Sequence, residues 1–233
     1  MMVNLEARLT QDGISFHHEG NRIRCFPHVV NIANQHMLDK LKNNPMEPIL
    51  SLPTETSLER VRLQAYADTL ASDPVQRVCD LVTALRQSGQ RRQELHQFIQ
   101  EGIASGQWAD HPQGRQIKAL ELLRDCKMHW SSTFLMIDRV LLLYPAISDF
   151  LAHPSRAELL AVLTHIHQIF EVLHQAQQLV SAEKTPTLSL VLPAYELLVD
   201  TWKQLCFQIP ELWHYVSLGI SKVEEYVNKS RRS

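Results

Sequence analysis

The chain has 233 residues, of which 45% are hydrophobic and 21% charged, with 7 glycines and a formal net charge of -2 at pH 7. It is long enough for a sizeable core, too apolar for a disordered chain and too poor in glycine for a turn-rich sheet protein. The near-neutral balance excludes a globally basic nucleic-acid binder, so any phosphate contact has to come from a local patch.

The four cysteines, Cys25, Cys79, Cys126 and Cys206, form no CxxC pair, which argues against a zinc ribbon or a disulfide framework and for reduced thiols. No apolar run reaches the roughly 18 residues of a membrane span. The opening Met-Met-Val-Asn-Leu-Glu-Ala-Arg lacks the basic and apolar blocks of a signal peptide. The expectation is a soluble protein of the cytoplasm or nucleus, with no membrane partner.

Leu5 and Leu9, at helical spacing, predict a short opening helix that ends near Gly13. Arg22-Ile23-Arg24-Cys25-Phe26 alternates, with Ile23 and Cys25 on one face and the two arginines on the other, and predicts a strand. Pro27 suits the first turn of a helix, where its missing N–H costs nothing, and Val30, Ala33, Met37 and Leu41 supply the buried stripe. Pro45, Pro48 and Pro53 then interrupt any regular element, so the domain boundary is placed between residues 1–45 and 46–233.

Everything beyond that boundary reads as helix. Thr56 and Glu59 form a capping box before Leu58, Val61 and Ala65, and Asp73-Pro74 opens a helix carrying Val75, Val78, Val82 and Leu85. Leu95, Phe98, Ile99 and Ile103 mark the next helix, stopped by Gly106, and Ile117, Leu120 and Leu123 mark a shorter one. Ser131 caps a long apolar helix through Phe134, Leu141 and Tyr144, bent at Pro145. Ser155 and Glu158 form a second capping box, for a helix lined by Leu163, Ile166, Phe170, Leu173 and Val180. Thr185-Pro186 opens another, with Pro193 as a kink, and Pro210 opens the last, lined by Leu212, Val216, Ile220, Val223 and Val227.

Two constellations carry candidate chemistry. The first is Cys25-Phe26-Pro27-His28-Val29-Val30-Asn31, where strand gives way to helix. Free N–H groups and the dipole favour an anion at a helix start; a histidine in the first turn adds a hydrogen bond or a charge, and Asn31 faces the same way one turn later. The alternative is that Cys25 is core and His28 merely caps the helix. A zinc pair from Cys25 and His28 lacks two further ligands, and a Cys-His nucleophile lacks a third orienting group.

The second constellation is Asp125-Cys126-Lys127-Met128-His129-Trp130-Ser131-Ser132-Thr133, an aromatic just before a helix cap and beside basic groups. Such an aromatic stacks on an unpaired base, or else pins the start of a core helix. His17-His18, and His165 with His167, fit no metal pattern and read as surface or packing residues. The chain holds no P-loop, GxGxxG, GxSxG or HExxH.

On these two stretches the chain resembles hAT superfamily DNA transposases, especially fungal elements. Arg22-Ile23-Arg24-Cys25-Phe26-Pro27-His28-Val29-Val30-Asn31-Ile32-Ala33 is similar to the block in which a strand of an RNase H-like fold leads into a Cys-x-x-His motif and a helix. Trp130-Ser131-Ser132-Thr133, with the apolar helix from Phe134 to Leu143, is similar to the family's tryptophan motif at its helical insertion domain. Leu188 to Tyr195 and Ile220 to Tyr226 also look like family helices.

The resemblance implies a mainly α fold: a partial RNase H-like α/β segment over 1–45, with one strand or a short hairpin, joined to a helical insertion domain over 46–233. It implies a nuclear cut-and-paste transposase in which two aspartates and a glutamate hold Mg or Mn, with His28 near a DNA phosphate and Trp130 against a flipped base. The acidic motifs have no counterpart here: Asp12, Glu19 and Asp125 sit in no matching motif, and His129 stands where the family usually has an arginine. The expected product is therefore a fragment or degenerate transposase with no catalytic residue, metal or cofactor of its own. Its partners would be transposon-end DNA, weakly bound through Arg22, Arg24, Cys25, His28, Asn31, Lys127, His129 and Trp130, and an intact transposase. Two other readings stay open: a helical protein-interaction module without DNA function, and an incomplete gene model of an active transposase.

Overall fold

The computed structural model describes residues 2–15, 26–43, 46–111, 117–126, 130–151, 157–181 and 190–231. Among these residues the regular structure is entirely helical: α1 (Met2–Gln11), α2 (Phe26–Asn43), α3 (Glu47–Leu50), α4 (Ser57–Ala71), α5 (Pro74–Arg86), α6 (Gly89–Ser105), α7 (Trp130–Phe150), α8 (Ala157–Val180), α9 (Val191–Gln208) and α10 (Trp213–Arg231), with a 3-10 turn at Pro210–Leu212. Of the strand expected over Arg22 to Phe26, residues 22–25 lie outside the described residues, and Phe26 is helical, its ring buried with the stripe of α2; Ser155 of the second capping box and the Thr185-Pro186 helix start also lie outside the described residues.

Packing divides the chain into two units, one from Met1–Lys40 and Val172–Ser233, the other from Leu41–Glu171. The single division expected near residue 45 thus has a second counterpart inside α8, and the C-terminal helices group with the N-terminal ones.

In the terminal unit α2 buries Phe26, Val29, Val30, Ala33 and Met37, a stripe that follows from its helical spacing. The Phe26 ring lies against Tyr195 of α9, centroids 4.6 Å apart. α10 presents Gly219 to α2 and α9: a Cβ there would stand 2.7 Å from the Met37 Sδ and 3.3 Å from Cζ3 of the fully buried Trp202. A Cβ fits where the three helices meet only if the Met37 side chain shifts, and these contacts between distant stretches explain why the first and last residues share a unit. Pro193 falls in the first turn of α9, where its missing N–H has no intrahelical acceptor to lose, and not at the expected kink.

In the middle unit the stretch between Asn43 and Pro53, expected to be irregular, holds the one-turn α3, opened by Pro48 in its first turn. The Thr56–Glu59 capping box forms in both directions: the Glu59 N–H donates to Thr56 Oγ1 at 3.1 Å, and Glu59 Oε2 accepts from the Thr56 N–H at 3.1 Å. The buried face of α4 is Tyr66, Ala67 and Leu70, whereas Leu58 and Val61, read as its apolar stripe, are 67% and 65% exposed. Asp73 adopts a left-handed φ of 50° and accepts from the Gln76 N–H at 3.1 Å, which starts α5 over its buried Val78, Val82 and Leu85.

The short helix expected at Ile117, Leu120 and Leu123 is absent; residues 117–126 run without regular structure. Their buried apolar residues are Ile117 and Leu122, not the period-three set. The carbonyls of Glu121 and Leu122 are taken by the guanidinium groups of Arg139 and Arg86, so side chains supply what a helical ladder would have supplied. α6 ends at Gly106 in the left-handed region, φ 70°, and the following turn folds Trp108 back over Gly102 so closely that any Cβ at 102 would collide with the ring. The Trp108 indole N–H donates to Asp149 Oδ2 on α7 at 2.8 Å.

Candidate functional site

Of the residues singled out in the first stretch, the structure describes His28 and Asn31; Arg22, Arg24 and Cys25 lie outside the described residues. α2 opens directly at Phe26, with Pro27 in its first turn. Burial of Phe26, Val29 and Val30 fixes the phase of that turn and leaves His28 exposed, with Asn31 half-buried one turn later. A helix start with an exposed imidazole offers backbone and side-chain N–H donors to an oxygen anion.

In the second stretch Lys127 and His129 lie outside the described residues, as does the side chain of Trp130. α7 spans Trp130–Phe150, so Trp130 and Ser131 both lie within the helix and Ser131 is not its cap. The helix is instead tied back by Asp125, whose Oδ1 accepts from Ser132 Oγ at 2.7 Å and from Thr133 Oγ1 at 2.8 Å. The Cys126 N–H donates to the same Ser132 oxygen at 2.7 Å. A carboxylate held near a helix N-terminus is favourable for the dipole. Asp125 is thus occupied in fixing the start of α7.

The two histidines read as packing residues take up interhelical bonds. His165 Nδ1 lies 3.1 Å from the Tyr66 hydroxyl. His167 stacks on Phe134, centroids 4.8 Å apart, with its Nε2 3.1 Å from Asp138 Oδ1. Glu196, Asp200 and Glu224 line a shallow groove between α9 and α10, where Lys203 pairs with Glu224 at 3.5 Å. Among the described residues no group of three or more His, Cys, Asp or Glu side chains is placed to hold a metal ion. No described helix is long and apolar enough to cross a membrane.

Among the described residues, three titratable groups are clearly shifted. Burial pushes the Cys206 thiol up to about 11 and the Tyr215 hydroxyl up to about 12. The Glu59 carboxyl is held below the usual carboxylate value, chiefly by the backbone N–H groups of Glu55 and Thr56. None of the three belongs to the two candidate stretches.

No protein-family model, curated protein or solved structure matches this chain.

Proposed function

We propose that the chain derives from a hAT-type cut-and-paste DNA transposase as a degenerate member that binds DNA without cutting it. On this reading residues 1–45 come from an RNase H-like segment and 46–233 from the helical insertion domain, the protein works in the nucleus, and Mg or Mn belongs to the intact family enzyme. The observation that carries it is the resemblance of Arg22 to Ala33 to the family's Cys-x-x-His block, on a helix whose first turn leaves His28 exposed. Loss of cleavage follows from the carboxylates: Asp12, Glu19 and Asp125 match no acidic motif, and Asp125 is spent on Ser132 and Thr133.

The test is a fluorescence-anisotropy titration of labelled duplex with the native chain and with His28→Ala and Trp130→Ala. The reading expects weaker binding in each variant, by roughly 1 to 3 kcal/mol for a lost stacking platform at Trp130. Unchanged binding in both removes these sites from the account.

A second reading, a protein-interaction module, is favoured by one observation: Phe207 near the end of α9 is 88% exposed and Trp213 at the start of α10 is 48% exposed. Large aromatics left in water mark surfaces that other chains cover. Light scattering separates the two, since self-association that disappears in Phe207→Ser supports the module and a monomer at all concentrations counts against it.

A further inference from the structure

A cluster of arginines lies away from both stretches, where α5 turns into α6. Arg86 closes α5, Arg91 and Arg92 stand in the first turn of α6, Arg124 comes from the irregular segment 117–126, and Arg139 projects from α7. Side-chain contacts bring them together. Arg86 donates through Nη1 to the Leu122 carbonyl and lies 3.4 Å from the Glu121 carboxylate. Arg124 donates to the Arg86 carbonyl at 3.3 Å, Arg91 to the Ala84 carbonyl at 2.8 Å, and Arg139 to the Glu121 carbonyl. Arg86 and Arg92 also line one small groove with His96 and Glu121.

Helix termination accounts for part of this. The Ala84 and Arg86 carbonyls belong to the last turn of α5, and cations are favourable there. It does not account for the whole. A guanidinium has five N–H donors, and the bonds above use one from each of Arg91, Arg124 and Arg139. Arg91, Arg92 and Arg124 are exposed, and none of Arg91, Arg92, Arg124 and Arg139 has a carboxylate partner among the described residues. Arg91 and Arg92 moreover occupy the first turn of α6, the end at which the dipole disfavours cations; no acidic residue stands in that turn, and Ser88 gives it no side-chain cap. Arg86 alone of the five pairs with a carboxylate, Glu121, among the described residues, so the corner carries an excess of positive charge that an anion would neutralise.

We infer that this α5–α6 corner is a docking surface for the phosphate backbone of a nucleic acid. The planar guanidinium fork matches phosphate oxygens, and a row of phosphates supplies the repeated negative charge that five clustered arginines require. An acidic protein partner fits less well. Protein interfaces need an apolar centre, and neither the α5–α6 turn nor segment 117–126 exposes a large hydrophobic side chain. Contacts of this kind position a duplex without reading its sequence. The inference stands on the arginines and does not depend on the transposase reading or on His28 and Trp130.

The experiment is an anisotropy titration of a random-sequence DNA duplex with the full chain at several salt concentrations. It is repeated for the triple variant Arg91→Gln, Arg92→Gln, Arg124→Gln and for Arg92→Gln alone. Arg92 donates only through its backbone N–H, to the Ser88 carbonyl, among the described residues, so its variant keeps the fold even where the triple variant loosens the end of α5. The expected result is a log K against log salt slope smaller by about one for each arginine removed, alike for unrelated sequences, and binding weaker by roughly tenfold or more in the triple variant. An unaltered slope in Arg92→Gln, no binding by the native chain, or displacement of the duplex by an equal charge of oligoglutamate overturns the inference. Loss of binding in His28→Ala with the arginine variants unaffected overturns it too, while leaving the transposase reading in place. The converse pattern supports the corner and counts against the sites of that reading.

Discussion

Both units bury apolar cores, and they differ in the contacts that supplement them. In the terminal unit these are apolar and close: Phe26 on Tyr195, and α10 pressed through Gly219 onto Met37 and Trp202. In the middle unit polar side chains add ties to the core, with Trp108 bonded to Asp149, Tyr66 to His165, Asp125 to the start of α7, and Arg86 and Arg139 to the carbonyls of segment 117–126. An apolar contact tolerates added volume only where a flexible side chain can yield. A polar tie leaves an orphaned donor or acceptor when one partner goes, and it can also hold a ring rigid against added volume. The charged surface falls where the ties are polar, because the side chains that hold the irregular segment are themselves arginines.

Glycine substitutions break this comparison most sharply. Gly102→Ala drives a Cβ into the rigid ring of Trp108, which is anchored at Asp149, whereas Gly219→Ala meets the side chain of Met37, which has torsions free to yield. Alanine recovers about 1 kcal/mol of helix propensity at either site. The net expectation from overpacking is a loss of about 2 to 3 kcal/mol for Gly102→Ala and about 1 kcal/mol for Gly219→Ala, read from urea unfolding. A larger loss at Gly219 would reverse the assignment of the rigid contact.

The smaller effects appear with pH, and they differ in sign between the units. Cys206 and Tyr215, both in the terminal unit, keep their protons in the fold to higher pH than in the unfolded chain. Their contribution is therefore complete below pH 9.0 and is lost as pH rises through about 11 for the thiol. Glu59, in the middle unit, has its value lowered from 4.5, so its contribution is present above that pH and fades as pH falls. Thiol labelling follows the first effect: exposed Cys126 reacts at once, while buried Cys206 reacts only as the terminal unit opens, and faster above pH 9.0. Equal labelling rates for the two thiols at neutral pH contradict the burial of Cys206.

Local rules made much of the fold legible. The Thr56–Glu59 box, the Asp73-Pro74 start, the Gly106 stop and the stripes of α5 and α10 depend on neighbours a turn apart, and the structure bears them out. Period alone misled at Ile117, Leu120 and Leu123, because the carbonyls of that segment are claimed by arginines 18 and 36 residues away in the chain. It misled again at Leu58 and Val61, where the packed face of α4 is that of Tyr66, Ala67 and Leu70. The regrouping of the termini was hidden for a related reason, since Gly219, Met37 and Trp202 meet only in the fold. For the candidate site, the exposure of His28 follows from the helical phase of Phe26, Val29 and Val30. The arginine corner was not legible, because its members come from four separate stretches and none of them forms a motif.

On the proposed reading this chain binds DNA and does not cut it. The most direct test is to incubate the purified protein with supercoiled plasmid and manganese or magnesium, and to follow both retardation and nicking on one gel. The account predicts a salt-sensitive retarded complex whose DNA is recovered supercoiled after the protein is removed. Nicked or linear DNA that requires the divalent ion would contradict it, as would plasmid that migrates unretarded at low salt.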